Sequence, residues 1–194
     1  MRVLHLYCHP LADSFHGAIK ARVLAGLAAG GHEIDHCDLY EEGFQPVLSA
    51  DMRRDYHDTG INQRGLENHV ARLQRAEALV VQFPTWCFGM PAMLKGYFDR
   101  LIMPGVAFDL SDPASVKPLL GNIRTIHGVV TYGRPRWTAI YMGDPPRKAV
   151  TRYLPWFTGG TAAVKYHALY HMNVADAPTR ARFLDRVERE MAQL

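Results

Sequence analysis

Short apolar runs alternate with amphipathic stretches along this chain, and that alternation predicts a parallel sheet covered by helices on both faces. Five runs read as strands: Arg2 to Cys8, Glu33 to Leu39, Ala78 to Phe83, Ile123 to Thr131 and Val164 to Tyr170. The run Ala78-Leu-Val-Val-Gln-Phe83 is almost continuously apolar, as a central strand buried on both faces requires. Between the runs the period changes to that of a helix. After Asp13-Ser14, the residues Phe15, Ala18, Ile19, Val23 and Leu27 fall at helical spacing, with Asp13 or Ser14 as N-cap. A second helix is predicted from Leu66 to Glu77. A third opens at Pro91, a favoured first-turn residue, and places Leu94, Phe98, Leu101 and Ile102 on one face. A fourth runs from Pro145 to Tyr153, and a last from Pro178 to Met191, burying Phe183, Leu184, Val187 and Met191. Two connections, Tyr40 to Arg64 and Pro104 to Asn122, are long for a compact domain; such segments either carry ligand and partner contacts or are plain surface loop.

The elements assemble into one α/β domain spanning residues 1–194, doubly wound, with five parallel strands in the order 2-1-3-4-5. A dinucleotide-binding Rossmann unit would need G-x-G-x-x-G after its first strand, and Cys8-His9-Pro10-Leu11-Ala12-Asp13-Ser14 has no glycine. With 194 residues and 48% hydrophobic content the chain can bury one core. Its 22 basic and 19 acidic residues are interspersed, which argues against nucleic acid as a partner. Cys8, Cys37 and Cys87 form no C-x-x-C pair, so reduced thiols are expected. No apolar run reaches the roughly 18 residues of a spanning helix, and no signal-peptide core precedes the first strand. Membrane insertion is therefore not expected, and a cytoplasmic location is.

Two bends carry the candidate chemistry. Where the first strand delivers the chain to the first helix, free N–H groups and the helix dipole make an anion site. Ser14 offers a hydroxyl there, Phe15 and His16 offer backbone amides, and His9 offers an imidazole. The plain alternative is a capped helix with a turn histidine. A Cys-x5-Arg phosphate clamp would need arginine where Ser14 stands, and a metal cluster of Cys8, His9, Asp13 and His16 lacks a ligand pair at tight spacing. The second bend, Phe83-Pro84-Thr85-Trp86-Cys87-Phe88-Gly89-Met90-Pro91-Ala92, follows the most buried strand. Aromatic residues in a loop at the carboxyl edge of a sheet suit a flat ring system, with the amides of Trp86, Cys87 and Phe88 along its edge and Gly89 permitting close approach.

The residues His9-Pro10, Ser14-Phe15 and Ala18, followed by Phe83-Pro84-x-x-x-Phe88-Gly89-x-Pro91-Ala92-x-Leu94-Lys95-Gly96-Tyr97-Phe98-Asp99-Arg100, resemble the flavodoxin-like NAD(P)H:quinone reductases. The likeness extends through Gly43-Phe44-x-Pro46 and Leu48-Ser49-x-Asp51 to Thr131, about two thirds of the chain. It implies a flavodoxin-like fold and a flavin, with FAD slightly favoured over FMN. His9, Ser14, Phe15 and His16 would surround the phosphates, and Pro84, Thr85, Trp86, Cys87 and Phe88 would hold the ring. His16 stands where related proteins often have asparagine. A third loop that normally reads Thr-Thr-Gly-Gly is here Thr131-Tyr132-Gly133-Arg134; it keeps Gly133 and replaces the second glycine by Arg134.

The expected activity is transfer of a hydride from NAD(P)H through the flavin to a quinone or similar small electron-poor acceptor, with ping-pong kinetics. The flavin would supply the redox chemistry and the protein the orientation. The Gly133 amide and Tyr132 are candidates for stabilising reduced flavin, and Tyr141 for the acceptor's proton. Arg134, with Arg136 and Arg147, is a candidate for a nicotinamide phosphate, and Phe88 and Phe108 for the ring face. Family members are typically homodimers with sites at the interface, and Phe108 is the candidate roof over the partner's ring. A regulatory flavoprotein subunit of a potassium-efflux system is the alternative from another class; a flavodoxin-type carrier is disfavoured by the mildly basic charge.

Overall fold

A computed structural model of the chain describes residues 1–112 and 114–194. The strands are β1 (Arg2–Tyr7), β2 (Glu33–Asp38), β3 (Ala78–Pro84), β4 (Phe108–Asp109), β5 (Lys117–Pro118), β6 (Thr125–Thr131) and β7 (Ala163–Leu169). The helices are α1 (Phe15–Ala29), α2 (Ala50–Asp55), α3 (Glu67–Arg75), α4 (Ala92–Leu101), α5 (Arg136–Tyr141), α6 (Pro145–Lys148), α7 (Leu154–Trp156) and α8 (Ala177–Ala192). The main sheet is parallel in the order β2-β1-β3-β6-β7, the predicted 2-1-3-4-5 pattern once the short β4–β5 pair is set aside.

Each face of the sheet has its own core. Val3, Val80 and Val129 pack against Ile19, Val23 and Leu27 of α1 and Phe183, Val187 and Met191 of α8. On the other face Leu4, Leu6, Val81 and Phe83 meet Leu94 and Leu101 of α4 and Val150. All seven residues of β3 are buried, as its apolar run requires. Leu184, expected in the core, is half-buried. Among the described residues no helix is long and apolar enough to cross a membrane.

Of the two candidate caps, Ser14 closes α1: its Oγ accepts from the Gly17 amide at 3.2 Å, while Asp13 is exposed. Besides the short β4–β5 pair, helices α2, α5 and α7 were not expected. Helix α2 sits in the first long connection, capped by Ser49, and buries no residue, so it leaves no apolar period to read. Helix α5 buries only Ala139. The fourth predicted helix continues past Tyr153 through a π turn at Ala149–Tyr153 into α7. Pro155 has no N–H to donate back along the helix, and a widened turn just before it accommodates the loss.

The register positions the site. Tyr7 lies level with Gln82 and Pro84 with Thr131, so the loops leaving β1, β3 and β6 emerge side by side at the carboxyl edge, where open α/β sheets bind ligands.

Candidate functional site

The β1–α1 loop is built around its own hydrogen bonds. Ser14 Oγ donates to Leu11 O at 2.7 Å besides capping the helix, so its hydroxyl shapes the loop and is not a free donor. The Leu11 amide donates to His9 Nδ1 at 3.1 Å, which leaves the ring hydrogen of neutral His9 on Nε2. The amides of Phe15 and His16 donate to no group among the described residues; they are the unspent donors of a 15-residue helix, an arrangement that suits an anion. Gly17 closes the arrangement, since a Cβ there would lie 1.9 Å from Ala12 O.

The side chains of Phe15 and His16 are engaged elsewhere. The Phe15 ring packs on Phe183 at 6.4 Å between centroids, with the Arg180 guanidinium 5.9 Å from its centre, so it belongs to the α1–α8 interface. The His16 ring is buried, with Nε2 at 2.8 Å from Thr131 Oγ1. Burial holds its pKa down at about 3, so it is neutral. Phe15 and His16 therefore leave backbone amides, not side chains, free at the start of α1. The His9 ring stacks on His16 at 5.4 Å and lies 6.2 Å from Trp86, which brings the first two loops together.

The loop after β3 is strained. Trp86 and Gly89 exchange both backbone hydrogen bonds, at 3.1 and 2.9 Å, around a two-residue turn in which Cys87 has φ 49° and Phe88 φ 57°. Positive φ at both central positions is the type I′ geometry that Asn-Gly normally supplies, and each residue with a Cβ costs about 1 kcal/mol there. Consecutive left-handed non-glycine residues make this turn a candidate for function. The Trp86 amide, expected along a ring edge, is spent closing the turn. Those of Cys87 and Phe88 donate to nothing among the described residues. Cys87→Asn, which suits left-handed backbone, should stabilise the ligand-free protein by about 0.5–1 kcal/mol. Thermal denaturation would show this as a midpoint rise of roughly 1–4 °C; an unchanged midpoint would mean the turn stores no strain.

The third loop is tied to its neighbours. Thr85 N donates to Thr131 O at 2.9 Å, Tyr132 N to Leu169 O at 2.8 Å and His171 N to Arg134 O at 3.0 Å. The amides of Gly133 and Arg134 remain free among the described residues. Tyr132 is not the expected donor. Its hydroxyl donates to Asp144 Oδ1 at 2.6 Å and meets Tyr166 OH at 2.5 Å, and its ring stacks on Tyr170. Burial first, then Tyr166 and the bond to Asp144, hold its pKa far above the ordinary phenol value. Tyr141 is 83% exposed at the end of α5, in no position to be fixed by this chain alone. Phe108 is not an exposed roof either: it is half-buried against Phe157, 6.0 Å between centroids. Arg134 is exposed.

Two cavities flank the loops, neither legible in the sequence. One of about 470 Å³ opens beside the strained turn, lined by Gly89, Met90, Phe98, Pro146, Ala149 and Tyr153 among others. The second, about 260 Å³, is lined by Arg136, Arg147, Tyr166, His167, Tyr170 and Arg186. Elsewhere Cys37, Glu42 and His69 cluster, but Arg72 Nη1 donates to both Glu42 oxygens at 2.8 Å, placing a guanidinium where a cation would sit.

The chain has known likenesses. The Flavodoxin_2 family, described as of flavodoxin-like fold, matches residues 1–194. A ribosyldihydronicotinamide dehydrogenase (quinone) of Mus musculus is 30% identical over 125 residues, 56% of this chain and 54% of that protein. An NAD(P)H dehydrogenase (quinone) 1 of Rattus norvegicus is 28% identical over 148 residues, 68% and 54% of the two chains. The chain thus spans about half the length of the curated relatives it matches. Among solved structures, an NAD(P)H:quinone oxidoreductase from Methanothermobacter marburgensis aligns over 99% of this chain and 98% of its own, with 26% identity and a TM-score of 0.83.

Proposed function

Because the chain belongs to the Flavodoxin_2 family, we propose that it binds a flavin across the carboxyl edge of its sheet and reduces quinones or similar electron-poor acceptors at the expense of NAD(P)H. The observation that carries this reading is the convergence of unspent backbone donors from three adjacent loops, at Phe15 and His16, at Cys87 and Phe88, and at Gly133 and Arg134. The first pair suits a phosphate, and the other two suit the polar rim of a flat ring. His9 stands at the phosphate end. Pro84, Thr85, Trp86, Phe88 and Thr131 frame the ring. Ser14 acts by holding the loop. When bound, the flavin supplies hydride exchange between a nicotinamide and an acceptor.

FAD is favoured only by the likeness to longer reductases, of which this chain spans about half. FMN is the occupant proposed, since its phosphate and ring account for the donors described. The apolar cavity beside Gly89 takes the acceptor, and Lys95 lines it too. Trp137, Ile140, Tyr141 and Trp156 are exposed by 47–83%, and this apolar face is the surface offered to a second copy of the chain. Quinone-dependent NAD(P)H consumption by flavin-loaded protein, with parallel double-reciprocal lines, is the expected result; loaded protein that consumes none would contradict the activity.

The smaller cavity is proposed to take the 2′-phosphate of NADPH. Arg136, Arg147 and Arg186 line it, and none of the three pairs with a carboxylate within 4 Å among the described residues. Arg147 lies over the Tyr166 ring at 5.0 Å. This moves the expected role from Arg134 to Arg186. Changing Arg136 and Arg147 to Ala should raise KM for NADPH at least about tenfold more than for NADH, as loss of a charge-assisted contact implies. Equal effects on both would remove the assignment.

A further inference from the structure

A row of buried polar side chains crosses the sheet beneath the proposed flavin site. His36 Nδ1 lies 3.1 Å from His5 Nδ1, and His5 Nε2 lies 3.1 Å from Gln82 Oε1. Gln82 Nε2 is 2.8 Å from His16 O and 3.4 Å from His16 Nδ1, and His16 Nε2 is 2.8 Å from Thr131 Oγ1. His5, Gln82, His16 and Thr131 are all at most 2% exposed.

The direction of every bond follows from one atom. A backbone carbonyl can only accept, so the Gln82 group facing His16 O is the amide NH2, and Oε1 faces His5. His5 must then carry its hydrogen on Nε2. With that ring neutral, its pKa held down at about 3 chiefly by burial, Nδ1 is a lone pair that accepts from His36 Nδ1–H. On the other side, the second amide hydrogen of Gln82 points toward His16 Nδ1, and an N–H there would face another N–H. His16 Nδ1 is therefore a lone pair, and Nε2–H donates to Thr131. No group among the described residues accepts from the Thr131 hydroxyl, so a buried donor is left unspent at the end of β6.

We propose that this chain sets the polarity of Thr131, obliging its oxygen to accept from His16 and reserving its hydrogen for an acceptor atom of the bound group. His16 is then a positioning residue that acts through Thr131. The inference rests on the flavin reading for the identity of the acceptor, a carbonyl oxygen or unprotonated ring nitrogen of the flavin, but not for the polarity itself.

The two parts are tested separately. Long-range ¹H–¹⁵N correlation spectra of the flavin-free protein report histidine tautomers directly. His5 and His16 should appear as neutral Nε2–H rings and His36 as Nδ1–H. A His16 ring protonated on Nδ1 would overturn the proposal, because Thr131 would then have to donate to it. In FMN titrations, Thr131→Val and His16→Leu should each weaken binding about tenfold, the worth of one well-placed hydrogen bond. His16→Gln, whose amide can still donate to Thr131, should recover most of the loss. Wild-type affinity in Thr131→Val would overturn the role toward the ligand. Should the wild type take up no FMN while His16 shows the Nε2–H ring, the flavin reading falls and the polarity stands.

Discussion

Gly17→Ala should weaken flavin binding by about 100-fold or more while leaving the protein folded. The added methyl would sit 1.9 Å from Ala12 O, and atoms in ordinary structures do not approach a Cβ within 3.0 Å, so the β1–α1 loop must retreat by about 1 Å. Loss of the hydrogen bonds that His9 and the amides of Phe15 and His16 would make to a charged phosphate, at about 1.5–3 kcal/mol each, accounts for an affinity loss of that order. Alanine's higher helix propensity, about 1 kcal/mol over glycine, acts in the opposite direction on the fold and keeps α1 formed. Gly121→Ala, where a Cβ meets nothing within 4 Å, is the matched control. Flavin titration with fluorescence detection checks both, and wild-type affinity in Gly17→Ala would show that the loop carries no ligand.

Acid should unfold this protein steeply below pH 6. His5 and His16 have pKa values near about 3 and His127 near about 4, each lowered chiefly by burial from the ordinary 6.5. His5 faces His36, Gln82 and Lys20; His127 faces His167, Lys165 and Glu190. A folded pKa below the unfolded one means that the unfolded chain binds protons the native state refuses. The stability is thus complete above pH 6.5 and lost as pH falls toward 4. Each such proton contributes about 1.4 kcal/mol per pH unit, and three together about 4, against a typical total of 5–15 kcal/mol. Urea midpoints should be level from pH 8 to 7 and fall sharply between 6 and 4.5. A level profile through that range would mean that these histidines are hydrated or protonated in the native state.

The strands were legible because β3 is apolar throughout and because five apolar runs alternate with helical periods. Helix α1 was legible from Ser14 and the spacing of Ile19, Val23 and Leu27. Helices α2 and α5 were not, since one buries nothing and the other only Ala139. At the site, the candidate backbone amides of Phe15, His16, Cys87, Phe88 and Gly133 could be named from the loops that carry them, but the partners of the side chains could not. The His16 ring meets Thr131, 115 residues away. Whether Tyr132 can release a proton depends on Asp144 and Tyr166. No local pattern encodes those partners; the parallel register and the return of β7 bring them together. Arg186 joins Arg136 and Arg147 for the same reason, through the packing of α8 beside β7. The strain at Cys87 and Phe88 was also silent, since neither residue type announces a left-handed backbone.

The central claim is that the start of α1 and the strained turn after β3 grip opposite ends of one flavin. Adding FMN to the purified, folded protein, removing free ligand by gel filtration and recording the visible spectrum tests it most directly. Retention of flavin colour, with flavin fluorescence altered by Trp86 and lost in Gly17→Ala, is the predicted result. A colourless protein that retains neither FMN nor FAD, while circular dichroism shows it folded, would contradict the account.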